Sequence, residues 1–218
     1  MSHREIKFHN TQNSRFVGNK YGVIRSDEVS NFTDEDVSLL LKYNIKNIID
    51  LRSNNEVLKR PFANTNSLNY YHIPLHENGV LPCDGSKTAE FYFQIAKTEK
   101  PVYKVLKTIA DADCGVIYFC RSGKDRTGII TALLLSLCGF SDEYISADYA
   151  ETEKNLHSII HNWLLTHPQY SIEAISPMPK HILGFLEFIR NDYISIENYC
   201  KHIGLSDTDI RNIQNLIL

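Results

Sequence analysis

Two hydrophobic spacings alternate along the first 140 residues of the chain. Short apolar runs fall at 46–51, with Ile48, Ile49 and Leu51 and Ile45 just ahead, at Tyr70 to Leu75, and at Val116 to Phe119. Each has the length of a buried strand, and the second is closed by Pro74 and the polar stretch His76-Glu77-Asn78-Gly79. Between them the apolar positions move to helical spacing. Thr33 caps a helix opened by Asp34, Glu35 and Asp36, whose stripe is Val37, Leu40 and Leu41. Residues 88–111 read mainly as helix, and Ile129 to Leu135 with its flanks reads as a buried one. Strands alternating with helices predict an α/β fold with a mainly parallel central sheet covered by helices on both faces.

From Ser141 onward the pattern is helical. Ser141-Asp142-Glu143 opens one helix, His181 to Tyr193 forms another, and Ser195 to Ile203 a third that stops at Gly204. Ser206 caps a last one carrying Ile210, Ile213, Leu216 and Ile217. These extra C-terminal helices read as packing elements, because their apolar stripes are what a core requires. No internal repeat or low-complexity linker divides the chain, so residues 1–218 are expected to be one domain.

The stretch Cys120-Arg121-Ser122-Gly123-Lys124-Asp125-Arg126-Thr127-Gly128 lies between the last apolar strand and the buried helix. A tight loop there aims backbone N–H groups and the positive end of a helix dipole at one point, which favours an anion. A cysteine in that field, near Arg121, Lys124 and Arg126, is favoured as a thiolate. Thiolate, anion cradle and arginine fork together describe phosphate-monoester cleavage through a phosphocysteine. Cys120 is the expected nucleophile, and Arg126 is the residue expected to grip two phosphate oxygens. Ser122, Gly123 and Lys124 would supply loop N–H groups, with Gly123 tolerating the backbone twist. Thr127 is placed to give its hydroxyl to the departing thiolate.

Bulk composition narrows the setting. Hydrophobic residues make up 43% and charged residues 22%, as in an ordinary globular protein. A net charge of −3 argues against general nucleic-acid binding. Five cysteines (Cys83, Cys114, Cys120, Cys138 and Cys200) show no paired metal spacing and point to a reduced, cytoplasmic setting. No apolar run at the N-terminus reads as a secretory signal, which leaves export without a cleaved signal open. No apolar stretch reaches the ~20 residues of a membrane span, so stable membrane insertion is not expected.

Beyond the loop, several blocks together resemble the bacterial atypical protein-tyrosine phosphatases, the group sometimes called tyrosine/serine phosphatases with phosphoinositide activity. Asn13-Ser14-Arg15-Phe16-Val17-Gly18 is similar to an N-terminal block of that family, with Phe16 in place of its usual acid. Arg25-Ser26, then Asp50-Leu51-Arg52-Ser53 followed by Glu56, looks like a second block, and Asp148-Tyr149 follows the helix after the loop. Ser195 to Tyr199, continuing through Gly204-Leu205-Ser206, is similar to its C-terminal block. The resemblance runs from about residue 10 to 218. It implies a cysteine-phosphatase fold and a hydrolase acting on phosphotyrosine first, with dual specificity towards phosphoserine and phosphothreonine and activity on phosphoinositides as further options. Implied partners are a phosphoprotein or phosphoinositide and a phosphate or sulfate anion in the loop, touching Arg121 through Lys124, Thr127 and Gly128. Phe119 departs from the pattern, standing where the family has a histidine that helps fix the loop. Arg121 and Ser122 occupy positions often taken by an apolar residue and alanine.

The leaving group needs a proton from a carboxylic acid. Asp125 is placed first, since the family carries an acid there, while Asp84 and Glu77, in the loop after the second strand, stay open. Asp50 and Arg52 read as a structural ion pair at a strand end. His157, His161 and Glu153 share a helix face, but no fourth ligand accompanies them, so no metal is expected. Cys83 and Cys114 are candidates for reversibly protecting an oxidised Cys120. Two other activities fit part of the pattern: a silent phosphate-binding module, opposed by the intact Cys120, Arg126 and Thr127, and rhodanese-like sulfur transfer, which uses a different loop length.

Overall fold

The run Val116 to Phe119 becomes, with Gly115, the middle of a sheet. A computed structural model describes residues 4–29, 31–63, 67–77 and 81–218. Among them lie β1 (Arg15–Phe16), β2 (Val23–Ser26), α1 (Asp34–Lys42), β3 (Ile45–Asp50), α2 (Asn54–Lys59), β4 (Asn69–His72) and α3 (Thr88–Ala96). There follow α4 (Lys100–Ala110), β5 (Gly115–Phe119), α5 (Asp125–Leu137), α6 (Asp142–Thr166), α7 (Ile172–Ile175), α8 (Pro179–Tyr193), α9 (Ile196–His202) and α10 (Asp207–Ile217). The strands pair in the order β1-β2-β5-β3-β4, with β1 antiparallel on the edge and the rest parallel.

β5 is apolar without alternation because both of its faces are covered. Val116 and Tyr118 join a large core with α3, α4, α5, α8, α9 and α10, while Ile117 and Phe119 face a smaller core with α1 and the N-terminal segment. All four are fully buried, which contributes roughly 1.5–3 kcal/mol for each side chain. α5 packs at the centre of the larger core and is buried along most of its length, so it carries no polar stripe.

Local signals set the element ends. Thr33 and Asp36 form a reciprocal capping box on α1, as Ser206 and Asp209 do on α10. The segment expected as one helix over 88–111 is two: the chain turns at Lys97–Glu99, Glu99 adopts φ 53°, and Pro101 sits in the first turn of α4. A proline in a first turn forfeits no helical hydrogen bond, so Pro101 marks a start. β1, β2 and α2 add to the expected elements, and β4 ends before Pro74. No helix of the described residues is long and apolar enough to cross a membrane.

Candidate active site

Leu51 N–H donates to Phe119 O at 2.8 Å, and beyond it β5 breaks into the loop that leads to α5. Cys120 lies at the bottom of this loop, 1% exposed. Each of the next three carbonyls is tied away from the loop centre. Arg121 O accepts from Glu28 N–H at 3.0 Å, Ser122 O from Asn13 Nδ2 at 3.0 Å, and Gly123 O from Arg25 Nη2 at 2.6 Å. The peptide planes are thereby turned so that the amides point the other way. No amide from Arg121 to Thr127 has a protein acceptor among the described residues. A ring of unpaired donors at a helix N-terminus is an anion site. Gly123 makes the turn at φ 66°, and a Cβ there would lie 2.6 Å from Ser26 O and 2.7 Å from Asp27 N.

The brace behind the loop is a buried ion cluster. Asp148, on α6, takes Arg15 Nε on Oδ1 at 2.8 Å and Arg25 Nη1 on Oδ2. Arg15 also donates from Nη1 to Asn13 Oδ1 at 2.7 Å, aligning the amide that reaches Ser122 O. Both arginines are wholly buried. Burial, then the neighbouring Arg15, pushes Arg25 below its ordinary range, against the pull of Asp148. The Asp148 carboxylate thus holds two arginines behind the loop at once.

Arg126 is held from the other side. Its Nη1 and Nη2 meet Glu56 Oε2 and Oε1 at 2.5 and 2.9 Å, and Nη1 reaches Leu51 O at 3.4 Å. Glu56 is itself the third residue of the α2 capping box with Ser53. Burial would raise the Glu56 carboxyl, but the bonds and charge of Arg126 prevail and bring it down to about 2. Burial likewise works against the Arg126 cation, and Glu56, with Cys120 and Asp125, more than restores it, so the guanidinium titrates above its usual range.

Of the three acid candidates, the structure brings Asp125 to the cleft. Its Oδ1 accepts from the Tyr92 hydroxyl and lies 3.3 Å from Lys124 Nζ. Glu77 is exposed and accepts from Asn54 N–H at 3.1 Å and Asn54 Nδ2 at 2.6 Å. Asp84 is exposed and caps a short turn through Ser86, whose N–H and hydroxyl hold its carboxyl below the usual range. Neither of these two lines the cleft.

Other predicted residues are placed as follows. Arg121 and Ser122 line the cleft. The Lys124 ammonium turns under α7, donating to Ile175 O at 2.6 Å and Ala174 O at 3.4 Å. The Thr127 hydroxyl is buried without a partner among the described residues. Gly128 lies flat under Tyr149, where a Cβ would come within 3.0 Å of the ring. Phe119 packs under Arg52, whose guanidinium carbon is 5.4 Å from its ring centre. Arg52 pairs with Asp50 at 2.6 Å and Glu28 at 2.8 Å, the structural role read from the sequence. His157 makes an exposed 3.6 Å pair with Glu153, and no group of three or more metal-ligating side chains occurs among the described residues. Cys114 precedes β5 and Cys120 follows it. At ~3.3 Å per residue the two sit far beyond the ~7 Å reach of a disulfide, so Cys114 does not protect Cys120.

The cleft above the loop has a volume of about 550 Å³. One wall is apolar, built by Leu156, Ile160 and Trp163 of α6 with Tyr170 and Ile175 beyond it. Sequence patterning assigned these helices to packing alone. The structure shows the difference: Ile159 is 46% exposed and lines the cleft beside the buried Ile160.

Comparison with known proteins places the chain among relatives. A model described as the tyrosine phosphatase family matches residues 3–218. The chain is 27% identical over 213 residues to a tyrosine-protein phosphatase of Nostoc commune, covering 88% of this chain and 72% of that one. It is 22% identical over 250 residues to the triple specificity protein phosphatase PtpB of Mycobacterium tuberculosis, covering 90% of each. Among solved structures, P. aeruginosa TpbA is similar over 93% of this chain and 96% of its own, at 12% identity and a TM-score of 0.44. The match holds the loop, its brace and the clamp on Arg126 within one continuous span, and the chain belongs to the tyrosine phosphatase family of phosphoric monoester hydrolases.

Proposed function

We propose that the protein hydrolyses phosphate monoesters through a phosphocysteine on Cys120. The carrying observation is the orientation of the loop: three carbonyls tied outward leave the amides from Arg121 to Thr127 unpaired around the thiol. In this reading the Cys120 thiolate attacks phosphorus while the amides and the Arg126 fork hold the equatorial oxygens. Asp125 gives its proton to the leaving oxygen as the P–O bond breaks. Water then attacks the phosphocysteine, Asp125 takes a proton from it, and the sulfur leaves as thiolate beside the Thr127 hydroxyl.

Phosphotyrosine is the first substrate class, since the apolar wall of α6 offers an aryl ring a surface beside a polar floor. Phosphoserine, phosphothreonine and phosphoinositides follow, in keeping with the triple specificity in the name of the PtpB relative. Five free cysteines support a cytoplasmic setting. The test is Cys120→Ser assayed on phosphotyrosine, phosphothreonine and phosphoinositide substrates. Turnover should vanish on all while phosphopeptide binding persists, and activity above a few per cent of wild type would overturn the nucleophile. A chelator should leave the wild-type rate unchanged.

A further inference from the structure

Tyr92, on α3, belongs to none of the sequence blocks, yet its hydroxyl is the donor to Asp125 Oδ1. The side chain is fully buried, and Tyr149 of α6 sets a second hydroxyl 2.6 Å from the first. Proton counting fixes the direction of this chain. A phenol has one proton and an ionised carboxylate only accepts, so whenever Asp125 is ionised Tyr92 donates to it and Tyr149 donates to Tyr92; with the proton on Oδ2 the same directions persist. Burial first, then the charge of Asp125, pushes both phenols well above their ordinary range, so both keep their protons at working pH. Lys124 Nζ approaches the same Oδ1. Both contacts thus fall on one oxygen, and Oδ2 has no protein partner among the described residues.

We propose that Tyr92, backed by Tyr149, is a positioning residue that anchors Oδ1 of Asp125 and so presents Oδ2 as the atom that carries the catalytic proton. This rests on the reading of Asp125 as the general acid. As the S–P bond forms and the P–O bond breaks, the leaving oxygen keeps the bonding pair and takes the proton from Oδ2. The charge left on the carboxylate is met at Oδ1 by the Tyr92 hydroxyl and the Lys124 ammonium. In the second step the carboxylate takes a proton from the attacking water, a P–O bond forms, and the S–P bond breaks. Asp125 faces Tyr92 from α3, Tyr149 from α6, Lys124 from the loop, Arg126 from its own helix and His181 from α8. Burial, aided by Lys124 and Lys180, brings His181 down to about 4, so it stays neutral while the enzyme works.

The experiment is the pH profile of kcat on an alkyl phosphomonoester, whose poor leaving group requires the acid, for wild type, Tyr92→Phe, Tyr149→Phe, Asp125→Asn and the Tyr92→Phe/Asp125→Asn double variant. Loss of a bond to the carboxylate makes it hold its proton more tightly. The alkaline limb of Tyr92→Phe should therefore move up by about one pH unit, and that of Tyr149→Phe by less in the same direction. Once Asp125→Asn has removed the limb, Tyr92→Phe should add no shift. A purely structural role would lower the amplitude without moving the limb. An unmoved limb in Tyr92→Phe, with the limb lost in Asp125→Asn, overturns the positioning role and leaves the acid assignment standing. A limb that survives in Asp125→Asn overturns both. Should Tyr92→Phe fail to fold, an unmoved limb in Tyr149→Phe is the overturning result.

Discussion

Glu56 takes both terminal nitrogens of Arg126, at 2.5 and 2.9 Å, and so fixes the plane in which the guanidinium meets the loop. The carboxylate spends one edge on the arginine and, through Oε2, also caps α2 at Ser53 N–H. In Glu56→Gln the fork loses its charge partner and its fixed plane. Phosphate affinity and kcat/KM should both fall, by about tenfold or more, as expected for a charge-assisted bond. A phosphate titration and steady-state rates measure this, and wild-type values in Glu56→Gln would show that the clamp is not needed.

The same pair sets a pH window for stability. The folded Glu56 carboxyl sits at about 2, below its unfolded value, so its contribution is present above the unfolded value and is lost as pH falls from about 4.5 towards 2. Allowing for its partly solvated edge, this is on the order of 2 kcal/mol. Denaturant unfolding at pH 6 and pH 3 should show wild type losing part of this increment and Glu56→Gln losing less. Parallel losses in the two proteins would count against the coupling.

Gly123→Ala should abolish most activity with a fold that survives. The added Cβ meets backbone atoms at 2.6 and 2.7 Å, and the residue would have to keep a left-handed φ of 66°. Strain of this kind costs about 1–3 kcal/mol, and relief of it turns the loop carbonyls inward. Circular dichroism and rate together check this: a near-native rate would mean that the loop accommodates a side chain.

Asp125→Asn should slow poor leaving groups by about 10²–10⁴-fold and activated aryl phosphates far less. Asp84→Asn and Glu77→Gln should stay near wild type on both, since their carboxylates serve Ser86 and Asn54. A leaving-group-dependent loss in either control would relocate the acid.

The loop and its neighbours differed in how far the sequence disclosed them. Strand, loop and helix around Cys120 were legible because their signals are local: an apolar run, a glycine, then a buried apolar helix. The caps at Thr33 and Ser206 were legible for the same reason. β2 was not, because Arg25 and Ser26 interrupt its apolar pattern, and the residue that neutralises Arg25 lies 123 positions away. The direction of Lys124 was hidden likewise, since the carbonyls that hold it come from α7, about 50 positions on. Tyr92 reads from the sequence as one more apolar position on a core helix, and its hydroxyl acquires meaning from what stands opposite.

The clasp of Asp148 on Arg15 and Arg25 sets a condition on assembly. The nonapeptide from Cys120 carries the chemistry in its letters, but its shape is imposed by an N-terminal segment and by α6, which meet behind it at the Asp148 carboxylate and through Asn13 on Thr152 and Asn155. Replacing Asp148 by a neutral residue would keep the whole signature while leaving two guanidinium groups buried without that counter-ion, a loss on the order of 3–5 kcal/mol. The phosphate cradle is therefore a property of two distant supports packed against each other, and the nonapeptide alone does not hold its shape.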